Sequence, residues 1–163
     1  MMSHLTGDPK QHDLSSFKDS ITGSCLCGSI TVTINDNLFT KPRGHLCHCE
    51  NCRKASGSIA ATNLTIEEEK VDVEDRDGTL MLYEDRATSS GNPIYRWFCA
   101  VDGNPIFSKV DSMPGQVTVS MGMMPVIPTP EMEGFAAHKH TWFKSPDCVK
   151  SYKHLRTGEF MDE

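Results

Sequence analysis

Six of the seven cysteines in this sequence lie in three elements whose residue types could hold metal ions. These are the C-x-C pair Cys25 and Cys27, the C-x-C-x-x-C motif Cys47, Cys49 and Cys52, and the separate Cys99. The second motif can bring three sulfurs around one centre without help from elsewhere. Zn²⁺ is the first choice of metal because it accepts tetrahedral thiolate sets and needs no redox partner. Three protein ligands are typical of an open catalytic site and four of a closed structural one, so the count suggests two sites.

Other interpretations of these cysteines remain open at this stage. A buried cysteine often serves as a small apolar side chain, although three within six residues argue against that role here. Alternatively, Cys25 or Cys27 could be the fourth ligand of the C-x-C-x-x-C set, which would make one structural zinc ribbon. Cys148 lies outside every motif, and we expect it to be structural or a free thiol.

Several polar residues near these motifs are weaker candidates for catalysis. His48 lies between two predicted ligands and could act as an acid or base, or could bond to solvent or backbone. Arg53 and Ser56 follow the motif, where a helix N-terminus and an arginine charge could receive an anionic group. Capping and surface pairing would explain them equally well. His138 and His140 would share one face of a strand and could donate protons into a cavity, with a surface position as the alternative.

Composition limits the classes of function that suit this chain. Its 163 residues predict one domain. The net charge of −6 provides no basic face for phosphates, which argues against a nucleic-acid partner. The N-terminus lacks the features of a secretory signal, and the apolar runs are far shorter than the about 18 residues that span a bilayer. We therefore expect a cytoplasmic protein without a membrane partner, where clustered thiols stay reduced.

The elements that must position these residues are mostly short strands. Alternation of apolar and polar residues, with frequent glycine and proline, indicates half-buried strands. The predicted strands cover residues 30–34, 79–83, 95–98, 106–107 and 117–121. Asp102-Gly103 is a turn dipeptide, so the third and fourth of these strands should form a hairpin.

Helical signals are few, and they complete a mainly β prediction. One short helix is expected at 53–57, and a second from the Ser145 cap and Pro146 to about His154. Residues 21–163 form the predicted single domain. Residues 1–20 lack a core-like pattern and form a predicted N-terminal extension. This extension could pack on a neighbouring chain and so form a homodimer.

The cysteine motifs resemble those of the glutathione-dependent formaldehyde-activating enzyme family, whose domain is shared with centromere protein V and has the Mss4-like β fold. The matching stretches are 23–30, 47–58 and 95–99, in the family's order, within about residues 20–145. The resemblance implies short antiparallel sheets with zinc-binding loops. It also implies a structural zinc at Cys25, Cys27 and Cys99, and a catalytic zinc at Cys47, Cys49 and Cys52.

One position departs from the family's pattern. Where the family has the second cysteine of F-C-x-x-C-G, this chain has Asp102. A carboxylate oxygen can ligate zinc at about 2.0–2.2 Å, so Asp102 could still complete the structural site. A turn-forming aspartate beside a weakened or empty site is the alternative. We expect this site to bind zinc less tightly than four thiolates would.

The function implied by the resemblance is that of a zinc-dependent carbon–sulfur lyase. A thiol such as glutathione would lose its proton at the open zinc position, and a carbon–sulfur bond would form or break in an S-hydroxymethyl adduct. Two alternatives remain. The same site could serve the hydration, decarboxylation or rearrangement of another small metabolite, or the protein could be a non-enzymatic, zinc-stabilised binding module.

Overall fold

The computed structural model describes residues 7–147, 149–154 and 158–161, so Cys148 lies outside the described residues. Short strands dominate this part of the chain. They are β1 (Ile21–Ser24), β2 (Ile30–Ile34), β3 (His45–Cys47), β4 (Ala61–Glu67), β5 (Val71–Asp75), β6 (Leu80–Asp85), β7 (Ile94–Cys99), β8 (Pro105–Lys109), β9 (Gln116–Ser120), β10 (Met132–Gly134) and β11 (Lys150–Ser151). The helix α1 covers Glu50–Ser56, and 3₁₀ turns lie at Pro9–Gln11, Leu14–Phe17, Glu68–Lys70, Met121–Met123 and Ala136–His138.

The strands form two sheets. Strands β1, β2 and β5 make a three-stranded antiparallel sheet with β2 in the centre. The other eight strands follow the order β11-β10-β3-β4-β9-β8-β7-β6. Neighbours in this larger sheet are antiparallel, except that β10 runs parallel to β3 and β11. The prediction of a mainly β fold with short strands and short helices is confirmed.

One apolar cluster joins the two sheets. Its buried aliphatic strand residues are Ile21, Ile30, Val32 and Ile34 from the smaller sheet and Leu64, Ile66, Ile106, Val117 and Val119 from the larger one. Every second residue of β2 and β9 enters this core, as their alternation predicts. Burying each such side chain stabilises the fold by about 1.5–3 kcal/mol, so this cluster holds the sheets that carry the cysteine motifs.

The predicted hairpin is also confirmed. Strands β7 and β8 pair antiparallel, and the turn between them contains Asp102 and Gly103. Gly103 has a φ of 75°, a left-handed conformation that costs glycine little. The amide of Gly103 donates to the carbonyl of Cys99 at 2.8 Å, which closes the turn directly after that cysteine.

The helix predictions need correction. Helix α1 begins at Glu50 rather than Arg53, because Cys49 serves as its N-cap and accepts from the amide of Cys52. Cys52 therefore lies in the first turn of the helix. The predicted helix from Ser145 to about His154 is wrong, since the described part of that segment contains strand β11 and no helix. Its expected cap, Ser145, instead donates its hydroxyl to the buried carboxylate of Glu133.

The strand expected around His138 and His140 is wrong as well. His138 ends the 3₁₀ turn Ala136–His138, and His140 follows it outside any strand. The two rings therefore do not share a strand face.

In the described part of the N-terminal segment, Phe17 packs against Phe39 with ring centroids 5.8 Å apart. Within the described residues, no helix is long and apolar enough to cross a membrane.

Candidate metal centres

The first candidate centre consists of the three thiols of the C-x-C-x-x-C motif. Cys47 ends strand β3, Cys49 caps helix α1, and Cys52 lies in the first turn of that helix. The change from strand to helix turns all three side chains toward one point. The sulfurs of Cys47 and Cys49 are 3.4 Å apart, and all three lie within 4.8 Å of one another. No fourth His, Cys, Asp or Glu joins them among the residues that the structure describes.

This spacing and chemistry fit a thiophilic metal ion. Sulfurs at about 2.3 Å from a tetrahedral zinc would lie about 3.8 Å apart, close to the observed separation. The three thiols also differ in the direction of their pKa shifts. Hydrogen bonds from Cys47 and Cys52 lower the pKa of Cys49, while the bonds with Cys49 and Cys52 raise the pKa of Cys47. A second thiolate beside the first is unfavourable without a cation, and a metal ion would supply that charge.

Two of these cysteines open onto a cavity of about 510 Å³. Cys47 and Cys52 line one side of it. A row of paired residues crosses its floor from β4 through β9 and β8 to β7, and it consists of Thr65, Thr118, Ser108 and Arg96. Among the described residues that line the cavity, Arg96 is the one with a permanent charge. The cavity is large enough for a small molecule to reach the thiols.

The second candidate centre joins the C-x-C pair to the β7–β8 hairpin. The sulfur of Cys27 is 3.5 Å from that of Cys25 and 3.6 Å from that of Cys99. An oxygen of Asp102 lies within 4.8 Å of all three sulfurs. Four donors from two distant parts of the chain are thus brought together, and their chemistry fits zinc or a similar ion.

Asp102 also has the turn role that its sequence context predicts. One carboxylate oxygen accepts from the amide of Asn104 at 2.8 Å, and the other accepts from the amide of Cys27 at 2.7 Å. Burial alone would raise the pKa of Asp102, but these backbone hydrogen bonds outweigh it and lower the pKa to about 2. The carboxylate is therefore held as an anion beside the sulfurs, where it can bridge the two loops with or without a metal.

His48 lies away from the cavity, in a buried polar network. Its side chain is 1% exposed, and its Nε2 is 2.8 Å from a carboxylate oxygen of Glu133. Glu133 itself is fully buried and also accepts from Lys139, Ser145 and Ser151. Burial would raise the pKa of Glu133, but these hydrogen bonds lower it to about 2. Sequence reasoning missed Glu133, since a glutamate in a short segment outside any motif gives no signal of burial.

The other predicted polar residues differ in their contacts with the loop that carries His48. The Nε of Arg53 donates to the carbonyl of His48 at 3.2 Å, and its Nη1 is 3.4 Å from Nε2 of His140. His140 is exposed and stacks on Trp142. His138 is exposed beside Phe135. None of Arg53, His138 and His140 is among the described residues that line the cavity.

A second network, also missed from sequence, adjoins the three-cysteine centre. The side chain of Asn51 donates to both carboxylate oxygens of Asp85, at 3.0 and 3.1 Å. Asp85 in turn accepts from Nε of Arg96 at 2.9 Å. Asp85 and Arg96 lie on neighbouring strands β6 and β7, so the network links the start of helix α1 to the cavity floor. The available signal in the sequence was the opposite charges of Asp85 and Arg96, eleven residues apart. They become neighbours only because strands β6 and β7 pair.

Two thiol-rich clusters on a mainly β scaffold define a class of protein whose loops can hold metal ions. A sequence model of the family described as glutathione-dependent formaldehyde-activating enzyme matches residues 20–145, and the chain belongs to this family. The resemblance noted from the motifs is thereby confirmed. The chain has no significant match among curated proteins. A crystal structure of a Rhodobacter sphaeroides protein, a structural genomics target, is similar at 20% identity over 63% of this chain and 86% of that one, with a TM-score of 0.48.

Proposed function

We propose that this protein is a zinc-dependent carbon–sulfur lyase acting on an S-hydroxymethyl adduct of glutathione or a closely related thiol. The observation that carries the proposal is the three-thiol cluster on the wall of a cavity, with no fourth ligand among the described residues. Three protein ligands leave a position for a substrate atom, and catalytic zinc sites are built in this way. Membership of a family that activates formaldehyde with glutathione supports the choice of substrate.

In this proposal Cys47, Cys49 and Cys52 hold the catalytic ion, and Cys25, Cys27, Cys99 and Asp102 hold a structural one. A zinc ion bound by three thiolates supplies a thiophilic position at which a thiol loses its proton more readily than in water. The cavity would exclude bulk water and orient the thiol and the aldehyde. The new bond joins the thiol sulfur to the carbonyl carbon, and the carbonyl oxygen gains a proton. Cleavage reverses both changes.

The hydrogen bonds around the C-x-C-x-x-C loop suggest positioning roles for two residues that sequence reasoning treated as a candidate acid or base and a candidate anion receptor. We infer that His48, held by Glu133, fixes the backbone between Cys47 and Cys49. Arg53, which donates to the carbonyl of His48, fixes the same loop by a second contact. His140 contacts Arg53 from the exposed surface. His138 contacts the rings of Phe135 and His154, which line the cavity, but neither His138 nor His140 is itself among the described lining residues.

A matched pair of cysteine variants tests this assignment. Cys49→Ser removes a ligand from the proposed catalytic centre, and Cys27→Ser makes the same chemical change in the other centre. We expect Cys49→Ser to lose one zinc per chain and the glutathione–formaldehyde reaction while keeping the β-sheet circular dichroism spectrum. Cys27→Ser should keep the reaction at temperatures where it is folded. Full turnover by a folded Cys49→Ser protein would refute the assignment.

The same variants separate the enzyme from the alternative of a zinc-stabilised binding module. In such a module both centres would only hold loops together, and Cys49→Ser would unfold as zinc is lost. A wild-type protein that holds its full zinc but lacks this reaction would instead favour hydration, decarboxylation or rearrangement of another small substrate at the same site. A reducing compartment such as the cytoplasm suits the proposal, because the thiols must stay reduced to bind zinc.

A further inference from the structure

The cavity-facing cysteines of the proposed catalytic centre raise a problem of selectivity. Cys47 and Cys52 both line the cavity that the aldehyde would enter. A protein thiolate there can add to the aldehyde carbon as a substrate thiolate does. Such an addition forms a carbon–sulfur bond, and the carbonyl electrons move to the oxygen, which takes a proton from water. A ligand modified in this way would no longer hold the metal as a thiolate.

Arg96 is placed to act on one of these sulfurs. Its side chain is 17% exposed and lines the same cavity as Cys52, with which it interacts electrostatically. The Nη2 nitrogen lies 2.9 Å from an oxygen of Asp85, but the angles leave it without a hydrogen bond. In the part of the chain that the structure describes, it is the one buried side-chain nitrogen or oxygen without such a partner. The ion pair with Asp85 balances the charge of this nitrogen but leaves its N–H groups available to a further acceptor.

The guanidinium is held by groups that belong to the same helix turn as Cys52. Asp85 accepts from Nε of Arg96 at 2.9 Å and is only 7% exposed. Asn51, the residue before Cys52, donates to both oxygens of Asp85. The carboxylate therefore ties the arginine to the first turn of helix α1. A shift of that turn would move Cys52 and the guanidinium together.

We propose that Arg96 is a positioning residue that donates a hydrogen bond from Nη2 to the Cys52 thiolate and lowers its reactivity toward electrophiles. Asp85 and Asn51 fix the guanidinium in that place. The donor withdraws charge from a sulfur that must remain a ligand, so a substrate thiolate has the advantage in attacking the aldehyde. Outer groups that bond to metal ligands commonly tune them in this way. The inference rests on the proposed function only in that the three cysteines hold zinc.

Alkylation of the zinc-loaded protein by iodoacetamide, followed by peptide mass spectrometry, tests the inference. The main variant is Arg96→Met with Asp85→Asn, which removes both charges and keeps an acceptor oxygen for Asn51. We expect Cys52 to be alkylated at least about tenfold faster, since tenfold corresponds to about 1.4 kcal/mol and hydrogen bonds to charged groups reach that size. The rate at the exposed Cys27 should not change.

Two further proteins keep the test decisive. Arg86→Met with Glu84→Gln removes a similar but more exposed ion pair at the end of strand β6 and should leave the Cys52 rate unchanged. If the main variant does not fold, Arg96→Lys keeps a charge beside Asp85 but loses the planar fork, and it should raise the rate about threefold or more. An unchanged Cys52 rate in a zinc-loaded, folded variant would overturn the inference.

The outcome is independent of the proposed reaction. Faster Cys52 alkylation in Arg96→Met with Asp85→Asn, together with a zinc-loaded wild type that shows no lyase turnover, would support the role of Arg96 and refute the proposed function. An unchanged Cys52 alkylation rate in the variant, together with full lyase turnover by the wild type, would refute the role of Arg96 and support the proposed function. If zinc content is the same with and without Cys49, both proposals fail.

Discussion

Replacing Glu133 with glutamine should destabilise the protein more than a change of one charge normally does. The Glu133 carboxylate is fully buried and accepts from Lys139, Ser145 and Ser151 in addition to its contact with His48. Glutamine keeps the shape of the side chain but removes the charge that these donors surround. It also brings an NH₂ group toward donors, where at least one hydrogen bond would be lost.

The magnitude follows from the pKa of Glu133. A fall from 4.5 to about 2 corresponds to about 3 kcal/mol, at about 1.4 kcal/mol for each pH unit. Because the pKa is lowered in the folded state, this stability is present above about pH 4.5 and is lost as the pH falls toward 2. About 2 kcal/mol should already be lost at pH 3. Glutamine does not titrate, so the stability gap between the two proteins should narrow to about 1 kcal/mol there.

Urea unfolding, followed by circular dichroism at pH 7 and pH 3, measures this gap. Glu131→Gln is the matched control, since Glu131 is exposed and lies two residues away. The control should change the free energy of unfolding by less than about 0.5 kcal/mol. A Glu133→Gln protein that is as stable as the control at pH 7, or whose gap to wild type does not depend on pH, would refute the reasoning.

Three further predictions concern the two candidate metal centres and Gly44, which directly precedes strand β3. Zinc analysis of Cys49→Ser should show one ion fewer per chain than wild type, because two thiols no longer hold it. Asp102→Cys should compete with a chelator for zinc better than wild type, since it supplies a fourth thiolate; equal or weaker competition would place Asp102 in the turn alone. Gly44→Ala should lower thermal stability by about 2 kcal/mol, because its φ is 82° and its new Cβ would lie 2.6 Å from the carbonyl oxygen of Asn63.

Motif spacing and strand periodicity carried much of the prediction. The C-x-C-x-x-C motif is local, so its three sulfurs converge through one strand–helix junction. Cys99 and Asp102 lie on one tight turn, and the Asp-Gly dipeptide predicts that turn directly. Strand β2 matched its predicted bounds, because alternation over five residues is a clear signal.

The polar networks could not be predicted in this way, because they depend on contacts between distant segments. His48 meets Glu133 only through the parallel pairing of β10 with β3, which joins residues more than eighty positions apart. The Ser145-Pro146 pair has the local signature of a helix start. The hydroxyl of Ser145 instead donates to the same buried Glu133 carboxylate, and the chain continues into strand β11. Here tertiary hydrogen bonds outweigh local propensity.

The most direct test of the central claim is NMR exchange spectroscopy of glutathione, formaldehyde and their S-hydroxymethyl adduct with the wild-type protein. Zinc-loaded protein should increase the exchange rate between free formaldehyde and the adduct in proportion to its concentration. Protein stripped of zinc should give the uncatalysed rate, and restored zinc should restore the increase. An uncatalysed rate from folded protein with full zinc content would contradict the account.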